Sequence, residues 1–370
     1  MQFDPWNVDG DIDYAKLVKE FGIEPLNELP EVFRNNVLFR RKVVFAHRDF
    51  GRIMARIRDK KPFVMMTGLM PTGKMHIGHM LVAQQMIFYQ SLGAKLYICV
   101  ADVEAYHARG LSLKEARKIA VEEYLLNYIA LGLKPENVDV YFQSDRSPDG
   151  KKAGAFYRLQ NLLARHATFN EFKAVYGEVT PGKMVSAVMQ ASDMLHPQLP
   201  EYEGKVPVVV PVGIDQDPHL RLARDMAKRI KESSFTTLAS TYHLFMPGLG
   251  GGKMSASKPE SYVALTDTPK EAAKKINKYA FSGGQPTVEE HREKGGDPDV
   301  DVSFQYLKCW FEPDDDKLQE LYDDYKSGKL LTGELKKYLI GKLQPFLEDL
   351  AAKREEARIQ LPKFLSDGKI

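Results

Sequence analysis

The sequence predicts an α/β protein: a doubly wound parallel sheet, with an N-terminal appendage before it and a helical domain after it. Three observations carry this. Short apolar runs of strand length at 62–67, 95–101, 138–142 and 206–212 alternate with helix-length segments between residues 61 and 265. Strands that alternate with helices form parallel sheets with right-handed crossovers. After Thr268 the strand signals stop and helical patterns dominate to the end.

In chain order, residues 1–60 are mixed and charged and form the appendage. A helix is expected over 13–21, with Leu17, Val18 and Phe21 on one face, and 39–47 reads as a strand leading into a helix. Residues 61–267 form the sheet domain, with a helical insertion at about 150–200. Within it, 77–89 is an amphipathic helix closed by Gly93. The segment 113–131 is a long helix with Ser112 as N-cap and Glu115 completing a capping box. A further strand is expected at 242–246. Residues 268–370 form the helical domain, with Pro269 opening a helix and further helices at 317–325, 333–343 and 345–361. The loop 281–301 between them is rich in glycine and charge.

Bulk properties narrow the function classes. The 370 residues allow two or three domains, and 44% hydrophobic with 28% charged residues is the balance of a soluble globular protein. The longest apolar stretch, 206–214, is too short to span a bilayer and is broken by prolines. The first residues carry no basic, apolar leader pattern, and Cys99 and Cys309 match no metal spacing, so a reducing, cytoplasmic setting is expected. A net charge of +2 argues against a DNA-coating protein, yet 52 basic residues leave room for RNA binding. Basic clusters at 40–42, 52–61 and 353–354 read best as solvated faces.

Two strings carry chemistry. Met75-His76-Ile77-Gly78-His79 places two imidazoles one helical turn apart around a glycine, in a turn that also holds Thr72 and Gly73. There the backbone can approach a ligand closely, and helix-start amides attract phosphate. Gly252-Lys253-Met254-Ser255-Ala256-Ser257 places a lysine and two hydroxyls on a loop that also contains Gly248, Gly250 and Gly251. Both strings offer groups that hold a triphosphate. Alone each is weak: paired histidines at a helix start are commonly surface groups, and such a loop arises by chance. As a pair, each following a strand end, they are much stronger.

Together they resemble the HIGH and KMSKS signatures of class I aminoacyl-tRNA synthetases. Further segments resemble the tryptophanyl-tRNA synthetases of archaeal and eukaryotic type: Gly213-Ile-Asp-Gln-Asp-Pro-His219, Leu222-Ala-Arg224-Asp225, Leu265-Thr-Asp267, Asp299-Val-Asp-Val-Ser303 and Leu331-Thr-Gly-Glu-Leu-Lys-Lys337. The opening Pro5-Trp6, Phe39-Arg-Arg-Lys42 and His47-Arg-Asp49 fit too, and Ala256 stands where that branch commonly has alanine. The resemblance spans nearly the whole chain. It implies a Rossmann-like catalytic domain, an anticodon-binding C-terminal domain and a homodimer joined through the 150–200 helices. The implied substrates are ATP with its Mg2+, L-tryptophan and tRNA(Trp), with no metal caged by the protein itself.

By the same resemblance His76, His79, Lys253, Ser255 and Ser257 are catalytic. Thr72, Gly73, Gly78, Gly213, Asp215 and Met254 join them around ATP. Met66, Thr67, Gly68, Glu104, Gln190, Asp193 and Gln216 fall where the amino acid is held. The chain departs from that branch at Met66 and Cys99, which replace an indole-binding tyrosine and glutamine. Asp193, in Met189-Gln-Ala-Ser-Asp-Met-Leu195, resembles the carboxylate with which bacterial enzymes read the indole N–H, and is expected to replace them with Met66 as an apolar wall. The nearest alternative is the tyrosine enzyme. An indole N–H only donates, so one carboxylate suffices, whereas a phenol also accepts. A small-molecule nucleotidyl transferase and a non-catalytic RNA-binding relative are the remaining alternatives.

Overall fold

The computed structural model describes residues 14–255 and 258–365. Its centre is one seven-stranded sheet of β1 (Glu24–Pro25), β2 (Val44–Arg48), β3 (Val64–Leu69), β4 (Lys95–Val100), β5 (Val138–Phe142), β6 (Val208–Gly213) and β7 (Ala239–His243), in the order β1-β2-β7-β6-β3-β4-β5. From β7 to β5 every pairing is parallel, as the alternating pattern requires. From β3 the chain builds outward through β4 and β5, then returns to the opposite flank as β6. The crevice at the carboxyl ends of β3 and β6 is therefore the switch point of the sheet, where ligands sit in such folds.

Period-two alternation sorts the strand residues into two layers. Met65, Leu69, Leu96, Ile98, Val100, Val140 and Phe142 pack with the Met80–Ser91 helix and the C-terminal helices in one core. Val64, Met66, Tyr97, Cys99, Tyr141, Val208 and Val210 pack with helices Gly150–Leu163, Pro181–Leu195 and Asp217–Arg229 in the other. Helices on both faces make the sheet doubly wound, as expected.

Four local expectations need revision. The stretch before residue 60 is more than a packed appendage: β2 pairs antiparallel with β7, and β1 with β2. Its strand also starts late, because Asn36 caps a short helix, Val37–Arg40, by accepting from the Leu38 amide. The seventh strand lies at Ala239–His243 rather than 242–246. Its polar Ser240 and Thr241 are buried and bonded, Ser240 to the Tyr242 hydroxyl and Thr241 to Gln85, which hides them from a hydrophobicity reading. The helices expected at 333–343 and 345–361 are one helix, Thr332–Gln360, running through Pro345. Proline removes one backbone donor, but Leu335, Leu339, Leu343, Leu347 and Leu350 are buried on both sides of it. Each such leucine contributes about 2 kcal/mol by burial, more than the proline costs once they are summed.

The 113–131 helix forms with the expected capping box, the Glu115 amide donating to Ser112 Oγ at 3.2 Å and Glu115 Oε2 accepting from the Ser112 amide at 3.0 Å. One turn within it, Ala120–Leu125, is π-helical. No helix among the described residues is long and apolar enough to cross a membrane.

Candidate active site

The two signature strings meet at the carboxyl edge of the sheet. The His76 turn follows β3, and the segment after the lysine loop returns to pair with it: Ile77 donates its amide to the Val263 carbonyl at 3.1 Å, and Leu265 donates to Met75 at 2.9 Å. Tyr262 thereby stands 5.0 Å from the His76 ring. The loop's own geometry is tight. Gly248 donates to the Gly252 carbonyl at 2.6 Å, and Leu249 to Ser261 at 2.8 Å. A Cβ at Gly248 would stand 2.7 Å from the Ser261 carbonyl oxygen, so this glycine is dictated by close approach rather than by hinge motion. Ser255 is anchored through its amide to Ser261 Oγ at 3.0 Å.

Met254 is buried against Gly78: its sulfur lies 2.8 Å from where a Gly78 Cβ would be, and the His76 ring lies at 3.1 Å. Gly78, expected around ATP, is thus also where the second string docks on the first.

His76 and His79 stack with centroids 3.7 Å apart. The His76 amide donates to His79 Nδ1 at 3.1 Å, so His79 carries its proton on Nε2, which is left to donate outward. His76 Nδ1 is buried with no partner among the described residues. Burial holds both rings neutral, with His76 lowered to about 2, where the His79 ring adds to the effect, and His79 to about 4. Tyr124, from the π-helical turn, meets the His79 ring edge-on at 5.4 Å. Thr72 and Gly73 lie half-buried in the same turn.

Across the crevice, β6 ends at Gly213, where a Cβ would collide with Asp215 Oδ1 at 2.6 Å. The Asp215 carboxyl is pushed up by burial, while the Gln216 amide, at 3.1 Å from Oδ2, and the nearby Lys253 charge pull it back. The lysine of one string therefore lies beside the acidic loop of the other half of the sheet. Ser257 and Ala256 lie outside the described residues.

Most of the residues expected to hold the amino acid gather on the sheet face of Met66 and Cys99. Gly68 is exposed and pairs in register with Cys99. Asp193, 2% exposed on the Pro181–Leu195 helix, accepts from Tyr141 Oη at 2.8 Å and from Gln143 Nε2 at 2.7 Å. Burial pushes Asp193 up to about 6. Glu104, on the Asp102–Arg109 helix, is pushed up to about 7 by burial and by the Asp193 charge. Gln190 Oε1 and the Tyr176 hydroxyl are buried without partners among the described residues, the kind of orphaned polar groups a ligand satisfies. Thr67 does not join this group, because strand alternation turns it to the opposite face from Met66 and Gly68. Sequence reasoning missed Tyr141, Gln143 and Tyr176. The alternation Asp139, Tyr141, Gln143 at the end of β5 is the signal that could have found the first two.

A doubly wound sheet that joins a His-x-Gly-His turn to a Lys-Met-Ser loop across its carboxyl edge defines a class I aminoacyl-tRNA synthetase. The chain belongs to the tRNA synthetases class I (W and Y), whose family model matches residues 58–348. It is 43% identical to the tryptophan–tRNA ligase of Methanocaldococcus jannaschii, over 100% of this chain and 99% of that one. The crystal structure of the tryptophanyl-tRNA synthetase from Aeropyrum pernix superposes with a TM-score of 0.90 at 41% identity, covering 98% of this chain and 99% of that one. The tryptophanyl-tRNA synthetase of Giardia lamblia superposes with a TM-score of 0.84 at 31% identity, covering 95% of each chain.

Proposed function

We propose that this chain is a tryptophan–tRNA ligase. It activates L-tryptophan with ATP to tryptophanyl-adenylate, releasing pyrophosphate, and transfers the tryptophanyl group to tRNA(Trp), releasing AMP. The observation that carries the choice of amino acid is Asp193, a buried carboxylate that accepts from Tyr141 and Gln143. The full-length similarity to tryptophan–tRNA ligases supports the same reading.

No side chain attacks the substrate. The carboxylate of tryptophan attacks the α-phosphate in line, and the protein supplies position and charge. His79 donates from Nε2 to phosphate oxygens, and neutral His76 lies stacked against it. Lys253 neutralises the departing pyrophosphate, with Ser255 and Ser257 bonding its oxygens. Thr72, Gly73 and Gly78 give the nucleotide bare backbone, and Gly213 and Asp215 hold its ribose. Glu104, Gln190 and Gln216 take the ammonium and carboxylate of tryptophan, Gly68 leaves room beside the sheet, and Met66 and Thr67 belong to the strand that walls the pocket. Mg2+ enters with ATP. Its ligands would be chiefly phosphate oxygens and water, as for a Mg2+ carried by a nucleotide.

The helical 268–370 segment would read the anticodon. Leu162, Phe169 and Val185 are exposed on the 150–200 helices, and a homodimer through those helices would cover such residues. Two free, buried cysteines fit a cytoplasmic protein.

Amino-acid-dependent ATP–pyrophosphate exchange tests the reading. Exchange with tryptophan well above that with tyrosine is expected. Exchange driven by tyrosine would identify the tyrosine enzyme, and no exchange with any amino acid would remove the ligase reading.

A further inference from the structure

Asp193 is held by donors from a different element. Tyr141 and Gln143 lie on and just after β5, whereas Asp193 belongs to the Pro181–Leu195 helix. Neither donor is free to turn. Gln143 Oε1 accepts from the Glu104 amide at 3.3 Å, so the NH2 edge of its side chain must face Asp193 Oδ2. The Tyr141 ring is covered by the Arg146 guanidinium 3.9 Å from its centroid and flanked edge-on by His196 at 5.4 Å. Arg146 is fixed in turn by Asp139, at 2.9 and 3.3 Å, and by His196 Nε2 at 3.0 Å. His196 reaches back to the Ser192 carbonyl at 3.0 Å, on the residue before Asp193. The network closes on itself, strand to helix and back.

A carboxylate offers about four lone-pair directions. Tyr141 occupies one of them on Oδ1 and Gln143 one on Oδ2. What remains on the carboxylate can only accept, which matches an N–H. A phenol placed there could donate too, but its own lone pairs would need a further donor or remain unpaired, at the cost of a buried unsatisfied acceptor. An aromatic ring with no donor would leave the carboxylate itself short of a partner.

We propose that Gln143 and Tyr141 are positioning residues that aim Asp193 at a single N–H donor and thereby set the discrimination between an indole and other aromatic side chains. This rests on the reading of Asp193 as the indole acceptor. Gln143 has a second consequence: by joining Asp193 to the Glu104 amide, it fixes the spacing between the indole end and the ammonium end of the amino acid.

The test compares tryptophan with its isostere 3-benzothienylalanine, in which sulfur replaces the N–H. The ratio of the two kcat/KM values in pyrophosphate exchange is measured for the wild type, Tyr141→Phe, Gln143→Met and Asp193→Asn. Both substrates are run on one preparation, so the ratio does not depend on the folded fraction. Tyr141→Phe and Gln143→Met should each lower the preference for tryptophan about ten-fold, the loss of one charge-assisted hydrogen bond, mainly through KM for tryptophan. If Asp193→Asn collapses the ratio while both other variants keep it within about two-fold of wild type, the positioning role is overturned and the reading of Asp193 stands. If Asp193→Asn keeps the ratio, the reading of Asp193 falls and the proposal falls with it. If Gln143→Met is insoluble, Tyr141→Phe, which preserves the ring, decides alone.

Discussion

The sulfur of Met254 lies 2.8 Å from where a Cβ on Gly78 would stand. One contact thus joins two strings 176 positions apart and couples the lysine loop to the histidine turn. Gly78→Ala should force Met254 and the His76 ring apart. Because the sulfur is the far end of a flexible side chain, the fold should lose less than about 1 kcal/mol. Adenylate formation should fall about 100-fold, since displacement of catalytic groups by about 1 Å has that effect. Pyrophosphate exchange and urea unfolding measure the two effects. Unchanged exchange in Gly78→Ala would show that the contact is incidental.

Two glycines of the loop should respond oppositely. A Cβ at Gly248 meets backbone atoms, the Ser261 oxygen at 2.7 Å and the Gly252 oxygen at 3.0 Å, while one at Gly252 meets nothing within 4 Å. Gly248→Ala must move the loop and should lower exchange at least about ten-fold through misplacement of Lys253. Gly252→Ala should stay within about two-fold of wild type. Equal effects from the two substitutions would contradict the packing.

Tryptophan binding should weaken in acid. Glu104 and Asp193 stand at about 7 and about 6 because both are buried, with the Asp193 charge also raising Glu104. Both must be ionised to accept the ammonium and the indole N–H. Calorimetry should find affinity rising between about pH 5.5 and 7.5, by up to ten-fold per proton lost per pH unit, with proton release on binding. For stability the sign is reversed. These raised carboxyls favour the folded state below their unfolded values, and that contribution is lost as pH rises through 6 to 7. His76 and His79, lowered to about 2 and about 4, contribute above the ordinary histidine value, and that contribution is lost as pH falls toward 4. A tryptophan affinity flat across this range would count against Glu104 and Asp193 as acceptors.

Arg146→Met should be costly to the fold. The guanidinium is 1% exposed and its partner Asp139 is 19% exposed. Removing it leaves Asp139 and His196 without their donor, and breaking such a buried pair costs about 3 kcal/mol. Urea unfolding would read this as a lowered midpoint with an unchanged slope. A loss under about 1 kcal/mol would mean that Arg146 is not the keystone of this cluster.

How far the sequence could be read depended on the range of the signal. The capping box of Ser112 and Glu115 was legible because its partners are three residues apart. Strands β3 to β6 were legible because burial on both faces leaves continuous apolar runs. Strand β7 was displaced in the reading because Ser240 and Thr241 are polar and bonded internally. The break expected at Pro345 failed because leucines distant from the proline hold the helix through it. In the site, His76, His79, Lys253 and Glu104 could be named from motifs. Tyr141 and Gln143 could not, since their importance lies in bonds to a helix about 50 positions away.

The parallel α/β core, the two signature strings and the family were legible in the chain alone, because strand and helix periods and short motifs are local properties of it. The fold alone shows that Met254 docks on Gly78, that β2 from the N-terminal segment extends the sheet antiparallel, and that Tyr141 and Gln143 converge on Asp193. Each of those depends on which elements are brought side by side, and that is settled by burial of the two faces of the sheet rather than by any local pattern.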